Sequence, residues 1–320
     1  MLIYKLPFQN KFYTLDSQEE SSVYSINSFC GDRKILFFGN PKEITTEELD
    51  LIQFQLPISV ENTSTETKEK YLDKISKAIQ IIKENQLSKI VIARKKPIEY
   101  SGLDFGKTFS NLCESYPTAF VYAFCHNGIA WMGAFSEALG IYDKKNKTFR
   151  TMSLAGTLPV DENWTTKEIE EQLPVTEYIS TILKKYSTSV LQSETYDHIS
   201  GNIKHLRTDF EINLEKEKVE SLLKELHPTP AVCGIPKEEC KKWIKELEDF
   251  DREYYAGYNQ IETEDFLYAF VNLRCGKFFK NRVDIFVGGG ITQDSNPENE
   301  WRETELKSHA IINNLAIKQP

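Results

Sequence analysis

The chain lacks most features that would assign it quickly. No stretch approaches the roughly 18 continuous apolar residues of a membrane-spanning helix. The start, Met1-Leu2-Ile3-Tyr4-Lys5, has neither the charged n-region nor the apolar h-region of a signal peptide, so the cytoplasm is the expected compartment. The six cysteines (Cys30, Cys113, Cys125, Cys233, Cys240 and Cys275) form no CxxC pair, and the spacing of Cys233 and Cys240 is not a usual zinc spacing. They read as reduced thiols acting as small core residues. The five histidines are dispersed and form no HExxH. Gly288-Gly289-Gly290 follows a strand-like run but fits neither GxGxxG nor GxxxxGK. There is no long basic block, no internal repeat and no low-complexity tract. With 39 Lys plus Arg against 48 Asp plus Glu, the net charge is −9, which argues against a dedicated nucleic-acid binder. A locally basic pocket for an acidic small molecule stays open.

What is present suits a large core. Apolar residues make up 40% and aromatics 12% of 320 residues, which excludes a mostly disordered chain. The length allows two domains or one large one. Lys34-Ile35-Leu36-Phe37-Phe38 and Lys89-Ile90-Val91-Ile92-Ala93-Arg94 read as strands. Tyr71, Ile75, Ala78, Ile79 and Ile82 recur at helical spacing, after a polar stretch, Glu61 to Glu66, that is a linker or a helix start. Asp104 is a candidate cap for a helix running to Ser115. Phe120 to Phe149 holds several strands, with Asn127-Gly128 as a hairpin turn. Helical patterns cover Thr165 to Tyr186, Lys216 to Leu226, Lys237 to Leu247 and Glu300 to Lys318, and Phe266 to Ile291 reads as one hairpin. Long antiparallel strands interleaved with helices predict an α+β protein whose sheets are covered by helices.

Several polar residues stand in apolar surroundings. In the closing helix, Glu300, Glu303 and Lys307 fall at i, i+3 and i+7, on one face; they are either a solvated helix end or part of a site. In the helix from Thr165, Glu171 lies in line with Val175, Ile179 and Ile182, so it either reaches solvent at the edge of that stripe or needs a partner. Two sets of hard oxygen donors on two helices would suit Mg²⁺. Lys89 opens an apolar strand, as an edge gatekeeper or as a desolvated base. Glu137 lies between two apolar runs, as a turn residue or as a buried general acid. Arg274, in the run Phe270 to Cys275, would want a carboxylate, the protein's own or a ligand's.

Taken in order, a set of short segments resembles the chorismate-utilising enzyme family. They are Lys89 to Arg94, Gly133-Ala-Phe-Ser-Glu137, Leu154-Ala-Gly-Thr157, Lys167-Glu-Ile-Glu-Glu171, Leu226-His-Pro-Thr-Pro-Ala231, Phe250-Asp-Arg-Glu-Tyr-Tyr-Ala-Gly257, Leu273-Arg-Cys275, Gly288-Gly-Gly-Ile291 and Glu300-Trp-Arg-Glu-Thr304. The resemblance runs from about residue 70 to the C-terminus. It implies two large packed β-sheets with helices outside, and one catalytic domain over 1–320 with 1–65 as a divergent N-terminal part. It also implies a Mg²⁺ ion bridging protein carboxylates and the ring carboxylate of chorismate. By motif position, Glu171 and Glu303 are the implied Mg²⁺ ligands and Glu300 an assisting acid, with Glu168 and Glu170 as fallbacks because Gln172 and Pro174 depart from the usual pattern. Arg274 and Lys307 match positions that receive substrate carboxylates. Gly156, Thr157, Gly289 and Gly290 match backbone close to the substrate, and His227 matches a position near its ring.

Lys89 goes with water as nucleophile, against the Gln of the ammonia-using anthranilate synthases. Ala155 argues against the aminodeoxychorismate synthases, which carry Lys there. The implied activity is isomerisation of chorismate to isochorismate for menaquinone or siderophore biosynthesis, with Lys89 as base and Glu137 as acid. Salicylate formation with pyruvate loss, or a catalytically dead chorismate-binding protein, are the alternatives. The only implied partner is the small-molecule substrate, with no nucleic acid and no membrane; with no association motif visible, a monomer is expected.

Overall fold

Alternation along the strands decides which side each residue faces. In Phe120–His126, the aromatics Phe120, Tyr122 and Phe124 enter one hydrophobic cluster, while Val121 and Ala123 enter another. In Ile129–Phe135, Trp131 and Phe135 join the first cluster, and Ala130, Met132 and Ala134 the second. A strand with apolar residues on both faces must be covered on both. The computed structural model, which describes residues 1–16, 22–52, 54–59, 66–200 and 203–318, shows what covers them.

Two antiparallel sheets of nine strands each are present among the described residues. From edge to edge, the first sheet contains Gly234–Ile235, Lys89–Glu99, Arg282–Ile291, Cys275–Phe278, Ile129–Phe135, Phe120–His126, Leu2–Lys5, Phe12–Asp16 and Asn40–Ile44. The second runs Leu191–Gln192, Ile203–Asn213, Thr148–Pro159, Ala138–Asp143, Phe266–Val271, Tyr258–Glu262, Ser22–Asn27 and Lys34–Phe38, with Tyr196–Ser200 also on Ile203–Asn213. Aromatic pairs link the sheets. Phe120 of the first stacks on Phe270 of the second at 4.8 Å between centroids, and Tyr4 meets Tyr24 at 5.8 Å. Residues 2–5 and 22–27, inside the segment that the sequence left as divergent, are thus built into both sheets.

The helices are α1 (Thr46–Asp50), α2 (Lys68–Asn85), α3 (Phe105–Ser115), α4 (Thr166–Tyr186), α5 (Lys216–Leu226), α6 (Lys237–Leu247) and α7 (Pro297–Ile312). In α2, Tyr71, Ile75, Ala78 and Ile82 are buried, and the Thr67 side chain caps the N-terminus by accepting from the Lys70 N–H. Asp104 caps α3 in the same way, accepting from Lys107 N–H at 2.9 Å. α4 runs through Pro174 without a break and buries Val175, Ile179 and Ile182. No helix among the described residues is long and apolar enough to cross a membrane.

Two sequence expectations change, and a third falls largely outside the described residues. The stretch from Phe266 to Ile291 is two hairpin arms in different sheets: Phe266–Val271 pairs with Tyr258–Glu262, and Cys275–Phe278 pairs with Arg282–Ile291. The closing helix starts earlier than Glu300, because Asn296 caps it and Pro297 takes the first turn, and it ends at Ile312. Of the polar stretch at 61–66, positions 61–65 lie outside the described residues, while Glu66 pairs with Lys74 at 2.6 Å.

One buried ion pair fixes the strand that begins at Lys89. Glu248 accepts from Ala93 N–H (2.7 Å) and from Arg252 (2.6 and 2.8 Å). Arg252 also donates to the carbonyls of Val91 (2.7 Å) and Val232 (2.8 Å). The pair therefore replaces a strand where the two-residue Gly234–Ile235 ends, and every polar atom it buries is used. Arg252→Ala leaves Glu248 charged and buried, and is expected to cost about 3–5 kcal/mol in denaturant unfolding; a loss under about 1 kcal/mol would contradict this role.

Candidate active site

The chain crosses between the sheets twice at one place. Ile129–Phe135 leaves the first sheet, and Ser136-Glu137 carries it to Ala138–Asp143 in the second. Phe266–Val271 leaves the second, and Asn272 to Arg274 carry it to Cys275–Phe278 in the first. The crossovers are tied together: Val271 N–H donates to the Glu137 carbonyl (3.0 Å), and Ala134 N–H to the Arg274 carbonyl (3.2 Å). Arg274 thus sits at the sheet change, in a left-handed conformation (φ 42°), and not inside one apolar strand. Where the sheets part, a cleft opens to solvent. Its walls include Lys89, Glu137, Gly156, Thr157, Glu171, Arg274, Gly289, Gly290, Glu303 and Lys307, ten of the twelve residues to which the resemblance gives a role, the fallbacks Glu168 and Glu170 aside.

Glycines let the charged groups meet. Val91 pairs with Gly290, and Ile92 with Gly289, so successive glycines face opposite sides of the sheet. On the cleft side, a Cβ at Gly290 would stand 2.8 Å from both Glu171 Oε1 and Lys89 Nζ. On the other side, a Cβ at Gly289 would stand 3.0 Å from Glu300 Oε2 and 3.9 Å from Glu303 Oε1. The first sheet is open beside this point. Cys275–Phe278 reaches only Phe286, and past it Lys307 Nζ donates to the Gly288 carbonyl at 3.0 Å. Glu303 and Lys307 of α7 reach the cleft there.

Two ion pairs neutralise this region: Lys89 Nζ to Glu171 Oε1 and Lys307 Nζ to Glu303 Oε1, each at 2.6 Å. The Lys307 ammonium is desolvated, but Glu303, Glu171 and Glu300 outweigh that and hold its pKa above the ordinary value. The register of α4 is resolved. Glu168 is consumed by the helix cap, its Oε2 accepting from Thr165 N–H at 3.0 Å, and Glu170 points to a separate small hollow beside Ser88 and Asp294. Only Glu171 of the three lines the cleft. Next to it, the Gln172 amide is buried and donates to Thr176 Oγ1 (2.7 Å) and Thr208 Oγ1 (3.0 Å), fixing α4 to the second sheet. Glu300 is buried behind Gly289 and accepts from Ser295 Oγ at 2.8 Å.

These donors fit Mg²⁺ in chemistry: three carboxylates bracket two adjacent glycines, and hard oxygens are what the ion takes. They are not gathered into one coordination shell. Among the described residues no three His, Cys, Asp or Glu side chains converge as a metal site, and Glu171 and Glu303 are turned onto lysines.

Glu137 is buried, and desolvation raises its pKa from the usual 4.5 to about 7 against the pull of Lys89, Lys307 and Arg274. It can therefore hold a proton near neutrality. Burial pushes the Arg274 guanidinium down, opposed by Tyr116 and Glu137.

The histidine of the site is not the one expected. His227 does not line the cleft; it is buried at the end of α5, where its Nε2 bonds the carbonyls of Ser28 (3.2 Å) and Phe29 (3.1 Å). A loop anchor and not a substrate contact is what its position provides. His205 lines the cleft instead, on Ile203–Asn213, with Nδ1 3.0 Å from the Gly156 carbonyl and 3.1 Å from Thr157 Oγ1. A carbonyl can only accept, so Nδ1 carries the proton and Nε2 keeps its lone pair. Burial lowers the His205 pKa to about 3, partly opposed by the Gly156 bond, so the ring is neutral. Its sequence signal, one imidazole in an alternating strand, looks like a solvent-facing position. Tyr255 was also missed. It lies in a quoted motif without a role, yet it lines the cleft, stacks on Phe286 and sets its hydroxyl 2.9 Å from where a Gly288 Cβ would be.

The raised pKa of Glu137 has a stability consequence. The unfolded chain ionises this acid near 4.5 and the folded chain only near 7, so stability is lost as pH rises between those values. Glu137→Gln removes the loss. Its stability relative to the parent is expected to grow from pH 4.5 to 7, on the order of 3 kcal/mol in all. A pH-independent difference in urea unfolding would contradict the assignment.

Comparison with known proteins places this architecture. The isochorismate synthase MenF of Haemophilus influenzae is 28% identical over 284 residues, covering 84% of this chain and 65% of that protein. The MenF of Bacillus subtilis is 27% identical over 264 residues, 78% of this chain and 56% of that protein. The chain thus spans less than two thirds of the length of these curated relatives. The solved structure of MenF, the menaquinone-specific isochorismate synthase of Escherichia coli, superposes with a TM-score of 0.79 at 19% identity, covering 98% of this chain and 88% of that one, so the fold is shared. The family model described as chorismate binding enzyme matches residues 39–316, and the chain belongs to that family.

Proposed function

We propose that the protein is an isochorismate synthase, converting chorismate reversibly to isochorismate with Mg²⁺, in the cytoplasm, for menaquinone or siderophore biosynthesis. The observation that carries this reading is the pairing of Lys89 with a protonatable Glu137 on the walls of one cleft. The relatives named isochorismate synthase support it, and six free cysteines suit a reducing compartment.

Lys89, when uncharged, takes a proton from water as the water adds at C2 of the ring. The double bonds shift. Glu137 gives its proton to the C4 hydroxyl, which departs as water. One water enters and one leaves; Lys89 ends as the ammonium and Glu137 as the carboxylate, and proton exchange with solvent resets both. Arg274 and Lys307 receive the two carboxylates of the substrate. Neutral His205 presents an acceptor to a substrate hydroxyl without adding another positive charge. Gly290, bare on the cleft side, lets backbone approach the ring, and Gly156 and Gly289 present their backbone to the same cleft. Glu171 and Glu303 would hold Mg²⁺, with Glu300 assisting, and the ion when bound would neutralise and orient the ring carboxylate.

Purified protein incubated with chorismate and Mg²⁺ is expected to give isochorismate alone, and EDTA to stop it. Salicylate with pyruvate, or no turnover, would contradict the proposal. Lys89→Ala should lower the rate by about 10²–10⁴-fold while chorismate still binds in the presence of Mg²⁺; parent-like rates in this variant would remove Lys89 as the base. Glu303→Ala should instead abolish the Mg²⁺ dependence of substrate binding.

A further inference from the structure

One buried cation takes no part in that chemistry. Arg94 is 1% exposed and lies on the strand of Lys89, but it faces the other side of the sheet, together with Ile90 and Ile92. There it meets α7 at three points. Its guanidinium stacks 3.9 Å from the centre of the Trp301 ring. Its Nε donates to Thr304 Oγ1 at 2.9 Å, and its Nη2 to Glu305 Oε1. Lys96, two residues on, adds a bond to Glu305 Oε2 at 2.7 Å. The Tyr71 ring of α2 lies beside both the guanidinium and Trp301, 5.6 Å from the guanidinium carbon and edge-on to Trp301 at 5.6 Å between centroids.

Residues 301, 304 and 305 stand at i, i+3 and i+4, one stripe of the helix. Glu300, Glu303 and Lys307 stand at i, i+3 and i+7, the neighbouring stripe, about 100° round the axis. A planar fork gripping the first stripe fixes the rotation and height of the second. The same strand carries Lys89 five residues earlier. Arg94 thus joins, through one rigid group, the strand of the base to the helix of the acids.

We propose that Arg94 is a positioning residue, which sets the α7 carboxylates against Lys89 and Glu171 and thereby sets the affinity for Mg²⁺. The proposal rests on the reading above that Glu171 and Glu303 take the cation. Lysine cannot replace the residue, because it has no planar fork to stack on Trp301 while bonding Thr304 and Glu305 together. Groups that orient metal-binding side chains are worth 10–100-fold in affinity when removed.

The test is calorimetric titration of Mg²⁺ into the metal-free protein, with circular dichroism to confirm folding and steady-state kinetics alongside. Arg94→Lys is expected to raise the Mg²⁺ dissociation constant about tenfold and to raise the KM for chorismate at limiting Mg²⁺. Saturating Mg²⁺ should restore most of kcat, because Lys89 and Glu137 are untouched. Glu305→Gln, which keeps a neutral acceptor for Arg94, should weaken Mg²⁺ in the same direction by less. A residue that only stabilised the fold would lower the melting temperature and leave Mg²⁺ affinity in the folded protein unchanged. Parent-like Mg²⁺ affinity in folded Arg94→Lys overturns the proposal. Should that variant not fold, parent-like affinity in Glu305→Gln does so. A parent protein that turns over chorismate without binding Mg²⁺ overturns the metal reading and this proposal together.

Discussion

Lys89 and Glu171 lie 2.6 Å apart, with 4% and 14% of their side chains exposed. Charges taken this far out of water cost several kcal/mol each unless they are paired, and here each balances the other. Much of the neighbouring architecture follows from keeping the two in contact. The lysine arrives on a strand of the first sheet and the glutamate on a helix packed over the second, so the sheets must be held in fixed relation. The stacked aromatics Phe120 and Phe270 do this from inside, while Glu248 with Arg252 fixes the Lys89 strand itself. Gly290 then has to be glycine, because a side chain there would separate the pair.

The same constraint gives the site its chemical asymmetry. Four cations, Lys89, Lys307, Arg274 and the more distant Arg94, surround a region entered by Glu137, Glu171, Glu300 and Glu303. Three of the acids sit against lysines or close to them and balance their charge. Glu137 lies deeper, where desolvation outweighs the neighbouring positive charge, and it keeps its proton to about pH 7. One set of carboxylates is thereby suited to hold a cation and one carboxyl to deliver a proton. His205 completes the pattern by staying neutral among the cations.

The helices were the most legible part of the sequence. α5 and α6 match their periodic patterns to the residue, and α3 is announced by Asp104. The sheets were legible as strands but not as partners: nothing local in Phe266 to Ile291 says that the chain changes sheet at Asn272 to Arg274, since apolar residues continue through both arms. That change creates the cleft, so periodicity alone could list Glu137 and Arg274 but could not bring them together. Motif order did so. Its error at His227 is instructive. His227 matches the family's His-Pro-Thr position near the substrate ring, yet here it is spent on two loop carbonyls. Arg94 and Arg252 were quoted within motifs, yet their roles depend on contacts with α7 and with a strand edge that no local pattern contains.

The central claim is that a solvent water, activated beside Lys89, replaces the C4 hydroxyl released by Glu137. Running the reaction in H₂¹⁸O and reading the isochorismate by mass spectrometry tests this directly. Isochorismate made from unlabelled chorismate is expected to carry one ¹⁸O, in the new C2 hydroxyl. Unlabelled isochorismate formed at the normal rate would mean that the hydroxyl migrates within the substrate, and would contradict the roles given to both residues.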